Sequence, residues 1–166
     1  MYIFLVAKIL YFYVQFSKKT HFTQDCMIFP ENLQLDSLNQ LSSGTMVEYL
    51  GIEFTQIGEN HLTATMPVDH RTKQPLGLLH GGANVVLAET LGSVAASFAV
   101  DRDKYYCVGL DINANHIRAV KEGHVKGVTT PIHIGRKTQV WEIKIFNQEE
   151  ELTCICRLTM AVLEKA

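Results

Sequence analysis

The sequence has few of the features that would place a protein quickly in a class. Its 166 residues contain four cysteines, Cys26, Cys107, Cys154 and Cys156, and none belongs to a Cys-x-x-Cys pair. This spacing provides neither a disulfide framework nor a set of zinc ligands, which favours a reducing, cytoplasmic location. Cys154 and Cys156 are two positions apart, so in a strand they share one face and act as small hydrophobic residues.

An excess of positive charge is also missing. The chain has 15 lysines and arginines against 17 acidic residues, which gives a formal net charge of -2. Proteins that bind a nucleic-acid backbone usually carry a clear positive excess, so the composition does not favour a nucleic-acid partner. The length fits one domain that buries a single hydrophobic core.

One long apolar stretch, MYIFLVAKILYFYVQF, stands at the N-terminus, but Lys8 interrupts it. The stretch is shorter than the ~20 residues that span a bilayer. It also lacks the charged start and the cleavage site of a signal peptide, so we expect no stable membrane insertion. We interpret residues 1–26 as an extension outside the fold, for example from an upstream translation start. A membrane anchor or secretion signal is the alternative, and residues 27–166 are predicted to form the domain.

The rest of the chain predicts an α+β domain. Leu33, Leu38 and Leu41 have near-helical spacing, which indicates a short amphipathic helix. Two strands, GIEFTQIG and HLTATMPV, come before a long apolar segment from Gly82 to about Val100, and four extended runs follow it. A helix that is apolar on nearly every side is a buried helix. Short links between the late strands favour an antiparallel sheet that curls around this helix.

One carboxylate, Glu89, stands in the middle of the apolar helix. No basic residue occurs between Gly81 and Val100, and among its helical neighbours only Ser93 can offer a hydrogen bond. Burying an unpaired carboxylate costs several kcal/mol or forces it to remain protonated. An acid in such a setting is suited to act as a base or nucleophile near neutral pH. The alternative is that this helix face meets solvent or a basic residue of a partner.

The helix opens with the sequence His80-Gly81-Gly82. Two glycines allow a ligand to approach the backbone, and the free N–H groups of a helix start can polarise a carbonyl group. The simpler alternative is a tight turn in which His80 has a structural role. Glu89 and Gly81 are ~12 Å apart along the helix axis, too far to contact one carbonyl group. Either one of them is not catalytic, or a two-fold dimer supplies both to each of two shared sites.

Three stretches carry a resemblance to a known family: RTKQPLGLLHGGANVVLAETLGS, VGLDINANHIR and GRKTQVWEI. They resemble the hotdog-fold acyl-CoA thioesterases of the PaaI type. The nearest branch is 4-hydroxybenzoyl-CoA thioesterase-like and includes 1,4-dihydroxy-2-naphthoyl-CoA hydrolases and the proofreading thioesterases of enterobactin synthesis. The resemblance extends from about residue 31 to residue 163.

This resemblance implies a six-stranded antiparallel sheet wrapped around a long central helix, assembled as a homodimer or homotetramer. It implies hydrolysis of acyl-CoA, aroyl-CoA or acyl-carrier-protein thioesters without a metal or redox cofactor. A role in menaquinone biosynthesis is compatible with it.

The resemblance also assigns roles to individual residues. Glu89 would be the nucleophile or the general base, assisted by Ser93. The Gly81 amide would hold the carbonyl oxygen, with Gln74 and His80 close to the carbonyl or the sulfur. His116 would line the acyl pocket.

Further substrate contacts are predicted from the residues themselves. The Gly82 amide belongs to the same helix start as Gly81. The HIGRK sequence joins two strands and places a glycine beside two cations, so it could bind the CoA phosphates, although a solvated turn is the simpler reading. The residues predicted to meet the phosphates are Arg118, His133, Gly135, Arg136 and Lys137.

Three alternatives to thioester hydrolysis are open at this point. A hotdog-fold dehydratase or hydratase would act on a 3-hydroxyacyl thioester without releasing a thiol. A CoA-binding sensor or oligomeric module would bind CoA without turning it over. A metal site formed by His80, His116 and His133 is the weakest alternative, because their spacing matches no common ligand motif.

Overall fold

Three helices and six strands follow one another in residues 27–166, the part of the chain that the computed structural model describes. The predicted extension, residues 1–26, lies outside the described residues. In chain order the elements are α1 (Leu35–Leu41), α2 (Met46–Tyr49), β1 (Glu53–Ile57), β2 (Leu62–Pro67), α3 (Gly81–Phe98), β3 (Tyr105–His116), β4 (His124–Ile134), β5 (Thr138–Phe146) and β6 (Leu152–Glu164).

The six strands form one antiparallel sheet in the order β1-β2-β4-β5-β6-β3. Strands β4, β5 and β6 pair in sequence because the links between them are short. Strand β3 does not pair with the next strand in the chain. It crosses to the far edge, where it runs antiparallel to β6 with Gly109 opposite Met160 and His116 opposite Cys154. The predicted six-stranded antiparallel sheet is confirmed.

Helix α3 lies in the curve of the sheet and forms the centre of the core. Leu87, Leu91 and Ala95 are fully buried, and no side chain from Ala83 to Phe98 is exposed. Burying each leucine contributes roughly 1.5–3 kcal/mol, so this one helix supplies much of the hydrophobic stabilisation. The prediction of a central helix buried by a surrounding sheet is confirmed. None of the helices between residues 27 and 166 is both long and apolar enough to cross a membrane.

Strand β6 places Cys154 and Cys156 on one face, as the sequence predicted. Cys154, Cys156, Leu158 and Met160 face the core, whereas Arg157 faces solvent. The two thiols point the same way, with 3.6 Å between their sulfur atoms. Helix α1 forms where the leucine spacing placed a helix. The four-residue helix α2 was not predicted, because one turn is too short to show a periodic pattern.

Strand β3 forms one edge of the sheet, and its outer side meets no strand among residues 27–166. It is 12 residues long and exposes three large apolar side chains, Tyr106, Val108 and Leu110. Leu110 is 63% exposed. A long apolar edge with unpaired backbone groups is a template for pairing with another strand, so this edge is suited to contact a second chain.

Candidate active site

The Glu89 carboxylate is half-buried in the middle of α3 and is oriented by a neutral group. Its Oε1 accepts a hydrogen bond of 3.0 Å from the Ser93 hydroxyl, one turn further along the helix. This is the neighbour that the helical spacing predicted. Glu89 belongs to none of the ion pairs found in residues 27–166. The carboxylate is therefore held in place without a positive charge that would weaken it as a base or nucleophile.

A glycine of the edge strand makes room for this carboxylate. A Cβ atom at Gly109 would lie 2.9 Å from Glu89 Oε1, closer than ordinary van der Waals contact. The Glu89 side chain therefore extends from α3 to the side of β3 that faces the helix. Sequence analysis did not single out Gly109, although a glycine inside a strand pattern is a signal of close approach by another group.

The first turn of α3 leaves one backbone donor free. His80 caps the helix: its Nδ1 accepts from the Gly82 N–H at 2.8 Å, and its carbonyl accepts from the Ala83 N–H at 2.9 Å. Within residues 27–166 the Gly81 N–H has no hydrogen-bond partner. The Gly82 amide therefore donates to His80, which caps the helix; the substrate contacts expected of both residues stay predictions. Gly81 is the donor that a ligand can reach.

Gln74 lies in the loop that leads to this helix start. Its Oε1 accepts from the Leu76 N–H at 2.6 Å, which leaves its amide NH2 group to donate elsewhere. Asp69 and Arg71 brace the same loop through a bidentate contact whose shortest distance is 2.6 Å. This contact lowers the pKa of Asp69 to about 2. The His80 N–H at the start of α3 donates to the Thr72 carbonyl of the loop at 2.8 Å. The conformation of the loop therefore determines the position of Gln74 relative to Gly81.

His116, at the end of β3, faces the same helix start. A Cβ atom at Gly81 would lie 2.7 Å from His116 Nε2, so the ring covers the space above that glycine. On its other side, His116 Nδ1 is 3.4 Å from Cys154 Sγ and 3.4 Å from Asn84 Nδ2. His116, predicted to line the acyl pocket, thus lies next to the Gly81 amide, which is predicted to hold the carbonyl oxygen.

The site residues therefore form two separate groups in one chain. The acid half-site consists of Glu89, Ser93 and Gly109. The amide half-site consists of Gly81, its cap residue His80 and His116, and Gln74 lies in the loop that leads to it. Both half-sites lie along strand β3, at positions seven residues apart. The helix rise separates Gly81 from Glu89 by ~12 Å, and the strand rise separates Gly109 from His116 by about 23 Å. Neither half-site alone therefore brings the carboxylate to the amide.

Comparisons with known proteins define the family. Residues 76–154 match the family described as Thioesterase superfamily. The chain is 52% identical to the 1,4-dihydroxy-2-naphthoyl-CoA hydrolase of Escherichia coli over 137 residues, 82% of this chain and 100% of that protein. It is 51% identical to the proofreading thioesterase EntH of Cronobacter turicensis over 137 residues, 82% of this chain and 99% of that protein. The chain belongs to the thioesterase superfamily.

The solved structures give the same result. A crystal structure of a mutant thioesterase from Pseudomonas aeruginosa superposes on this thioesterase with a TM-score of 0.82 and 47% identity, covering 83% of this chain and 99% of that one. The predicted hotdog fold and the predicted thioester hydrolase activity are thereby confirmed, in preference to the dehydratase and binding-module alternatives.

The structure of the thioesterase does not bring all predicted phosphate contacts together. Arg118 donates to the Leu152 carbonyl at 2.8 Å, at the end of the sheet where β6 begins. The other four lie in or beside the β4–β5 turn at the opposite end. Within one chain, Arg118 therefore cannot share a phosphate with the HIGRK turn (residues 133–137).

The same separation removes the alternative of a three-histidine metal site. His133 is at the HIGRK turn, whereas His80 and His116 are at the amide half-site. No group of three or more potential metal ligands is brought together within residues 27–166.

Proposed function

We propose that this thioesterase hydrolyses acyl-CoA or aroyl-CoA thioesters at sites shared by two copies of the chain. One observation carries the proposal: the acid half-site and the amide half-site lie on the same exposed edge strand, seven residues apart. A relative that is 52% identical is named as the hydrolase of an aroyl-CoA, and another as a proofreading thioesterase. The first of these names favours aromatic acyl groups.

Pairing of two β3 strands explains how the half-sites would meet. In an antiparallel pair related by a two-fold axis, residues equidistant from the axis lie opposite each other. An axis between Ile112 and Asn113 would set Gly109 of one chain opposite the partner subunit's His116. Because the register of β3 shifts between Gly109 and Asp111, the residue opposite the partner subunit's His116 can differ by one position. Glu89 of one chain would then lie beside the partner subunit's Gly81, twice in each dimer.

The chemistry follows from this arrangement. The thioester carbonyl oxygen would accept hydrogen bonds from the Gly81 N–H and the Gln74 side-chain amide. The partner subunit's Glu89 would attack the carbonyl carbon or take a proton from a water that attacks it. Negative charge then grows on the carbonyl oxygen, where the helix start stabilises it. The carbon–sulfur bond breaks, CoA leaves as a thiolate that is protonated by solvent, and the acid is released.

The same pairing would reunite the separated cations. In the paired strands, Arg118 of one chain would lie opposite Cys107 of the partner subunit. Within a chain, Cys107 is paired with Val162, and the Val162 N–H donates to the Lys137 carbonyl. One bound CoA could then meet Arg118 from one chain and the HIGRK turn from the other. Arg136 and Lys137 are both exposed, which supports a role in binding phosphates.

Substitution of Glu89 tests the proposal. With aroyl-CoA, fatty acyl-CoA and carrier-protein thioesters, thiol release by Glu89→Gln and Glu89→Ala should fall about 10²- to 10⁴-fold, because the base or nucleophile is lost. Glu142→Gln is the matched control, since Glu142 pairs with Lys144 on the outer face of the sheet. Circular dichroism would establish that each variant is folded. Turnover within a few-fold of the unmodified protein in folded Glu89→Ala would remove Glu89 from the mechanism.

A further inference from the structure

We propose that Cys154 and Asn84 are positioning residues that hold His116 as the neutral tautomer with its proton on Nε2. In this form His116 donates a hydrogen bond to the carbonyl oxygen of a thioester bound at Gly81. The inference rests on the proposed function, because it requires substrate at the amide half-site. It adds a third donor to the Gly81 N–H and the Gln74 amide.

The position of the imidazole ring gives its two nitrogens different surroundings. Nε2 points to the space above Gly81, where a Cβ atom would be only 2.7 Å away. Nδ1 faces the protein interior and is 3.4 Å from both Cys154 Sγ and Asn84 Nδ2. In a neutral histidine, the bond made by one ring nitrogen decides which tautomer is present. The interior contacts of Nδ1 therefore determine what Nε2 offers to the substrate.

The thiol of Cys154 is directed to donate to Nδ1. Its sulfur is 3.6 Å from Cys156 Sγ. The contact with Cys156 lowers the pKa of Cys154, and the Asn115 N–H, which donates to the same sulfur, lowers it further. Cys154 Sγ is 3.4 Å from His116 Nδ1, closer than to Cys156 Sγ. Because an imidazole nitrogen is a stronger acceptor than a thiol sulfur, the Cys154 S–H is placed to donate to Nδ1.

Asn84 supports the same tautomer from the helix. It is 5% exposed on a helix that is otherwise mainly apolar, and its Nδ2 faces His116 Nδ1. Its Oδ1 has no partner within the described residues. The amide nitrogen, and not Oδ1, is the atom that faces Nδ1, so Asn84 presents a donor to that nitrogen. The Asn84 amide and the Cys154 thiol share the single lone pair of Nδ1.

The tautomer matters because of where Nε2 lies. A bare Nε2 would present a lone pair to a carbonyl oxygen and repel it, whereas Nε2–H stabilises the negative charge that develops there. A neutral histidine provides this donor without bringing a second charge into the site. Cys154 and Asn84 would thus act on the reaction only through His116.

Nitrogen NMR of the substrate-free, full-length protein labelled in histidine tests the tautomer directly. We expect the His116 Nδ1 signal of an unprotonated ring nitrogen and the Nε2 signal of a protonated one at pH 8. A protonated Nδ1 at that pH would overturn the proposal. This measurement does not depend on turnover, so it separates failure of this inference from failure of the Glu89 mechanism.

Variants then test the two positioning residues. Cys154→Ala should weaken the Nε2–H preference and lower kcat about two- to tenfold with little change in KM, as expected for one lost hydrogen bond. Cys154→Ser retains a donor and should restore both the NMR pattern and kcat. Thr55→Val is the control, since Thr55 lies in β1, at the edge of the sheet opposite to β3, and its hydroxyl donates to the Thr63 carbonyl. Equal loss of kcat in the Ala and Ser variants, with the NMR pattern unchanged, would overturn the role of Cys154.

Asn84→Asp provides the opposite perturbation. A carboxylate at this position accepts from Nδ1 and should move the proton of His116 to that nitrogen, with a loss of kcat larger than that of Cys154→Ala. A folded Asn84→Asp protein with unprotonated Nδ1 and unchanged kcat would overturn the proposal.

Discussion

Replacing Gly109 with alanine should separate the activity of this thioesterase from its stability. The new Cβ atom would lie 2.9 Å from Glu89 Oε1, whereas ordinary contact begins at 3.4 Å. The carboxylate is the flexible end of its side chain, so it should retreat by about half an ångström rather than disturb the sheet. That retreat also strains the 3.0 Å hydrogen bond from Ser93.

The size of the effect follows from the displacement. A misplacement of ~1 Å in a reacting group costs about 100-fold in rate, so half of that distance should lower kcat about tenfold. The backbone of Gly109 is outside the left-handed region, where only glycine is favoured. Alanine should therefore leave the fold intact and stabilise it by up to about 1 kcal/mol, because the unfolded chain loses freedom.

Steady-state thiol release and thermal unfolding are the two measurements required. Val108→Ala is the control, because it changes the same exposed edge one residue away while the side chain points to the other face. Light scattering would show that both variants keep the assembly of the unmodified protein. Full activity in a folded Gly109→Ala protein would refute the placement of Glu89 beneath β3.

Two further predictions concern the loop and the turn. Asp69→Asn should lower the Tm at pH 7, because the pKa of Asp69 is depressed to about 2 by Arg71 in the folded protein. The stabilisation is complete above the unperturbed pKa of 3.8 and is lost as the pH falls through 2, so thermal melts of the two proteins should converge at acid pH; a constant difference in Tm down to pH 2 would contradict this. Arg136→Ala with Lys137→Ala should raise KM for CoA thioesters several-fold at low salt and leave kcat unchanged, while pantetheine thioesters, which lack the nucleotide phosphates, should show no effect. A KM that rises equally for both substrates would argue against phosphate binding.

Much of the fold follows from local patterns in the sequence. The apolar segment after Gly81 and the alternation of β6 each point to one structure, since a helix or strand that buries most of its surface leaves a clear periodic signal. The place of β3 at the far edge of the sheet has no such signal. Helix α3 packs across the sheet from β2 to β3, so the strand that follows it pairs far from the strand that precedes it.

The candidate site was predictable in its residue types but not in its contacts. Glu89 stood out because an acid is costly in an apolar helix, and its bond to Ser93 followed from helical spacing. The contacts of Gly109, Asn84 and Cys154 join elements that are far apart in sequence, so only the folded chain reveals them. Cys154 in particular was interpreted as a small hydrophobic residue, which describes its burial and omits its contact with His116.

Mixed subunits test the shared site most directly. Glu89→Ala and Gln74→Ala proteins, each nearly inactive, would be unfolded, mixed in equal amounts and refolded together. If each site takes its acid from one chain and its amide from the other, half of the dimers are hybrids with one intact site, and the mixture recovers about one quarter of unmodified activity. A mixture that stays at the average of its two parents, with hybrids demonstrated by mass spectrometry, would contradict the shared site.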